Sequence, residues 1–101
     1  MCEFKIINET DGSQIGEDIV VLSYTENNEL IIKDILGMGQ KLESALIMDI
    51  NTLNQTCVVL QHPLIKKFIG LVKGISKKLD IENEIEDFQN SLEEFKQNIR
   101  K

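Results

Sequence analysis

Tryptophan is absent from this 101-residue sequence, and four Phe and one Tyr are its only aromatic residues. A chain so poor in flat rings offers no stacking platform for single-stranded nucleic acid. Bases are outnumbered by acids, 11 to 17, and the net charge of −6 removes any general electrostatic reason to hold phosphate backbones. Two cysteines, Cys2 and Cys57, are too few for a disulfide framework, so a reducing cytoplasm is the expected location. The apolar stretches are broken by Lys, which excludes a transmembrane segment, and the acidic start lacks the apolar core of a signal peptide. No CxxC, HExxH, EF-hand or glycine-rich phosphate pattern occurs. The single histidine, His62, shares no helical face with Cys57 and has no orienting third group, so nucleophilic catalysis is not expected. The chain reads as a non-enzyme.

What is present describes an ordinary small globular protein, 42% hydrophobic and 28% charged. Its charge is blocked along the chain: −7 over residues 1–63, +5 over 64–79 with no acid, and −4 over 80–101. Such alternation suggests that the basic block meets acidic surface of the same chain or of a partner subunit. Its lysines beside a wide apolar face also resemble a membrane-surface or partner-binding helix. The simpler reading is a packed helix whose Lys stems cover apolar surface while their heads stay in water.

Residues 3–61 carry short runs of β-branched and aromatic residues between polar turns. They are Phe4–Ile7, Ile19–Thr25, Leu30–Leu36, Ser44–Ile50 and Thr56–Gln61, with Glu26–Glu29, Gly37–Gly39 and Asn51–Asn54 as the breaks. The expected fold class is mainly β with an α appendage: a small antiparallel β-barrel of SH3-like size over residues 1–62. A helical appendage is expected over 63–101. Pro63 suits a first helical turn, and the apolar positions 64, 65, 68, 69, 71, 72, 75 and 79 follow helical spacing. Gly70 and Gly74 weaken that helix or permit close packing against another. Beyond Asp80, Ile81, Ile85, Phe88, Leu92, Phe95 and Ile99 alternate steps of four and three, a coiled-coil seam that needs a partner. Asp80 is a candidate cap, and the region forms one helix or two.

Cys2 is the candidate site residue. Its thiol, its amide nitrogen and the α-amine lie within one or two bonds' reach of each other, directly before the first strand. Strong-field nitrogen and sulfur donors of this kind favour square-planar Ni(II) or Cu(II) over octahedral Mg or Ca. Cys57 alternates with apolar neighbours and reads as a core residue. His62 is expected to pack or hydrogen-bond at the strand–helix junction. The adjacent acid pairs Glu17-Asp18, Glu86-Asp87 and Glu93-Glu94 read as solvated faces.

The start Met1-Cys2-Glu3, the stretch Gly16-Glu17-Asp18-Ile19 and the strand Leu30–Gly37 resemble the CooT-type small nickel-binding proteins. Ala45–Asn51 and Val58-Val59-Leu60 match the last third of the same pattern, so the resemblance spans about residues 1–61. It implies a small β-barrel homodimer in which the cysteines next to the two N-termini share one Ni(II). It also implies a nickel-enzyme client such as carbon monoxide dehydrogenase. Only Cys2 carries over as a ligand, and the helical region of some forty residues departs from the family pattern. The leading expectation is therefore a non-enzymatic nickel chaperone or store. The alternatives are an interaction or oligomerisation module using the C-terminal helices and, more weakly, an RNA-binding barrel, which the −7 of residues 1–63 disfavours.

Overall fold

The computed structural model describes residues 3–100. Six strands precede two helices: β1 (Phe4–Asn8), β2 (Gln14–Tyr24), β3 (Leu30–Asp34), β4 (Gly39–Leu42), β5 (Ala45–Asn51), β6 (Thr56–Gln61), α1 (Pro63–Ser76) and α2 (Glu82–Ile99). The chain is mainly β with a C-terminal helical part. No helix among the described residues is long and apolar enough to cross a membrane.

The turns are made by the residue types that suit them. Asn8, Asp34 and Asn51 each accept backbone N–H groups two to four residues on, closing the loops after β1, β3 and β5. Thr25 Oγ1 does the same for the β2–β3 connection, which also needs Asn28 at φ 65°. Gly37 at φ 85° turns the chain from β3 into β4. The apolar side chains that these turns bring to one face form the core: Ile6, Ile19, Leu30, Ile32, Leu42, Ala45, Cys57 and Val59.

Two features of the expected antiparallel barrel are corrected. The strand order is β4-β3-β2-β1-β6-β5, and β1 pairs with β6 in parallel, Ile6 opposite Cys57 and Asn8 opposite Val59. The sheet is therefore mixed. It is also open, with β4 and β5 as its edges. One side chain joins the interior strand β2 to the edge strand β5, which is not its neighbour in the sheet. The Tyr24 hydroxyl at the end of β2 donates to Ala45 O at 2.8 Å, and Ile47 N–H donates back to it at 3.3 Å. Strand β2 starts at Gln14, ahead of the expected run from Ile19, and β4 is a further strand that begins at Gly39, the last residue of the expected break, and continues to Leu42.

The helical region forms two helices. Leu79 N–H donates to Gly74 O and Lys78 N–H to Ile75 O, with Lys78 at φ 58°, a Schellman ending that stops α1. Asp80 Oδ1 then accepts from Glu82 N–H at 3.3 Å and helps to open α2. Gly74 is the contact point of the hairpin: a Cβ there would lie 2.4 Å from Ile81 Cγ2. Gly70 faces the β2–β3 turn instead, where Asn28 Nδ2 would lie 3.2 Å from an added Cβ.

Candidate functional site

The residue that the sequence singles out, Cys2, lies outside the described residues. Its foundation is described. Strand β1 runs through the interior of the sheet, between β2 and β6, and its first residues are tied on both sides. Phe4 sits opposite Ile19, and Lys5 N–H donates to Gln55 O at 2.9 Å. Glu3, Phe4, Lys5, Asp18, Asn54 and Gln55 line a cleft of about 330 Å³ at this end of the strand. Its polar side chains are two carboxylates, two amides and one ammonium.

The other thiol and the imidazole are committed elsewhere. Cys57 is fully buried in the core, and burial, followed by the nearby Asp49 charge, pushes its thiol pKa up. A buried neutral thiol is a poor metal ligand, because the thiolate is the ligating form. His62 Nδ1 accepts from Leu64 N–H at 3.1 Å and caps α1, while its ring packs on Phe95 with centroids 5.0 Å apart. Among the described residues no group of three or more His, Cys, Asp and Glu side chains could hold a metal ion.

A second feature lies on the helical side. Leu46 of β5, Leu64, Ile65, Phe68, Ile69 and Val72 of α1, and Phe88 of α2 enclose an apolar groove of about 410 Å³ with Lys73 on its rim. Periodicity identified both helix faces in advance, but it could not show that the two helices leave a gap between them. The junction that positions the groove went unread. Ser44, at φ 52°, donates its hydroxyl to His62 O, accepts Lys66 N–H at 2.9 Å, and offers its carbonyl to His62 N–H at 3.0 Å. Glu29, 9% exposed, sits between Lys41 at 3.4 Å and Lys66 at 3.7 Å and ties α1 to the sheet. The only forewarning in the sequence was the opposite charge of the blocks.

The acidic stretch meets only part of the basic helix. Lys67 Nζ pairs with Asp87 at 3.2 Å and donates to the buried Ser91 Oγ at 2.6 Å. Among the described residues Lys73, Lys77 and Lys78 form no ion pair. Between the helices and the β2–β3 turn, Asn28, Lys66, Lys67, Gly70, Leu71 and Asp87 line a cleft of about 580 Å³, but both of its lysines are already paired.

Neither a protein-family model nor a curated protein matches the sequence.

Proposed function

We propose that this chain is a non-enzymatic Ni(II)-binding protein of the cytoplasm that acts as a chaperone or store for a nickel enzyme. The Cys2 thiolate, with the amine and amide nitrogens beside it, supplies the donors, and two chains contribute to one centre. The observation that carries the reading is the Met1-Cys2 start just before β1, which is held by β2 from Phe4 and by β6 from Lys5. A strand so held gives a short N-terminal chelate a rigid base, which lowers the ordering cost of binding. The resemblance of residues 1–61 to CooT-type proteins points the same way, and carbon monoxide dehydrogenase is the client class it suggests. Nickel bound by such donors would give thiolate-to-metal charge-transfer absorption. Because thiol and amide must lose protons to bind, affinity rises with pH. Titrating Ni(II) into the untagged protein and into Cys2→Ser, with that absorption as readout, tests the proposal. The wild type is expected to bind one Ni(II) per two chains and the variant none; equal binding by both sinks it.

A second reading is favoured by the groove between α1, α2 and β5. In that reading the chain is a protein-interaction module whose helical hairpin is the working surface and whose sheet is the scaffold. An apolar groove on a helical face is the usual seat of an amphipathic helix. The two readings concern different ends of the molecule and are compatible.

A further inference from the structure

We infer that the helical hairpin of a second copy of this chain packs on the open apolar stripes of α1 and α2, which reach the groove at Phe68 and Val72, so that two hairpins form a four-helix bundle. This rests on the second reading above and names its partner.

The hairpin leaves two apolar stripes open. On α1, Phe68, Val72 and Ile75 are between 45% and 58% exposed, at spacings of four and three, and Leu79, just past the helix end, is 60% exposed. On α2, Ile85, Leu92 and Ile99 are between 39% and 85% exposed, one heptad apart. The alternate positions of the same α2 seam are already used inside the chain. Ile81 packs against Gly74, Phe88 lies 6.1 Å from Phe68 between ring centroids, and Phe95 packs on His62. Half of a heptad seam thus holds the hairpin together and the other half faces out. That is the pattern of a helix with neighbours on two sides.

Charge selects the pairing. The α1 stripe is bordered by Lys73 and Lys77, and the first two residues of the α2 stripe are each followed by an acid, Glu86 after Ile85 and Glu93 after Leu92, while Ile99 is followed by Arg100. Neither these two lysines nor these two glutamates are ion-paired among the described residues. Two α1 helices side by side would oppose like charges, as would two α2 helices. Helix α1 of one copy against α2 of the other matches both the apolar stripes and the signs. Under a two-fold axis that contact occurs twice, which closes the assembly. The open stripes, with Leu46, present eight large apolar side chains that are each between 39% and 85% exposed, the material of an apolar interface core.

The test uses the full untagged chain, with its mass in solution measured by light scattering and sedimentation at micromolar concentration. The wild type is expected to be a dimer that persists in Cys2→Ser and in chelator, which separates this assembly from a nickel-bridged one. Leu92→Lys and Ile75→Glu, both at exposed positions, are each expected to give monomers with unchanged far-UV circular dichroism. A Lys73→Glu/Lys77→Glu chain and a Glu86→Lys/Glu93→Lys chain should each dimerise at least tenfold more weakly, and their mixture should form the heterodimer. Rescue on mixing cannot come from misfolding. A monomeric wild type, a dimer indifferent to both apolar variants, or charge-reversed chains that fail to pair overturns the inference. A monomer that binds an acidic amphipathic peptide through Val72 and Phe88 would also overturn it, while leaving the groove a docking surface.

Discussion

The Tyr24 hydroxyl satisfies a carbonyl and an N–H of the edge strand β5, and no other contact of comparable polarity joins β2 to β5 among the described side chains. Replacing it with Phe keeps the half-buried ring but strands both backbone groups at an edge that water reaches only in part. Tyr24→Phe should therefore cost about 1–2 kcal/mol, read as a lower urea midpoint with unchanged slope. Hydrogen exchange should quicken at Ile47 before it does at Ile6. No sequence rule pointed to this role, because a Tyr in a strand is ordinarily a cross-strand packing residue. Cys57 is the opposite case. Its apolar neighbours and alternation marked it as a core residue, and it is fully buried.

Gly74 belongs to the helix hairpin as a unit. In an exposed helix interior, Gly→Ala gains roughly 1 kcal/mol from propensity alone. Here the new methyl would collide with Ile81 Cγ2, so the helices must separate or α2 must shift. Gly74→Ala is expected to destabilise by about 1–3 kcal/mol. Adding Ile81→Ala should return part of that loss, and a double-mutant cycle on urea unfolding would measure the coupling. A purely additive cycle would show that the contact is not what Gly74 serves. The heptad spacing of α2 and the helical spacing after Pro63 were legible because an amphipathic helix writes its own period into the chain. The break at residues 77–81 was not, since Lys78 adopts the left-handed conformation that glycine usually supplies.

At the scale of the whole molecule, two acids are held protonated by the fold. Burial is the first cause for both the Cys57 thiol and the Tyr24 hydroxyl, and both pKa values are raised. A native state that keeps its protons longer than the unfolded chain loses stability as pH rises through the window between the unfolded and folded values. The unfolding free energy should be flat with respect to these groups at neutral pH. It should fall from about pH 9 upward, first through the thiol and then through the phenol. Urea midpoints from pH 7 to pH 11 in a Cys2→Ser background would record it, and Cys57→Ala should flatten the early part of the fall. A midpoint that holds level across that range would contradict the burial argument.

Short-range patterns in the sequence determined the order of strands before helices, the place of Pro63 at the change, the burial of Cys57 and the amphipathic faces of α1 and α2. Each of these depends on neighbours in the chain. The parallel pairing of β1 with β6 joins segments about fifty residues apart, and no local pattern distinguishes a strand that will be central from one at an edge. The open sheet, the Tyr24 bridge across it, the Ser44 and Glu29 contacts that set α1 against the sheet, and the groove between the helices are all of this kind. They come from segments meeting in space, and only the tertiary structure decided them.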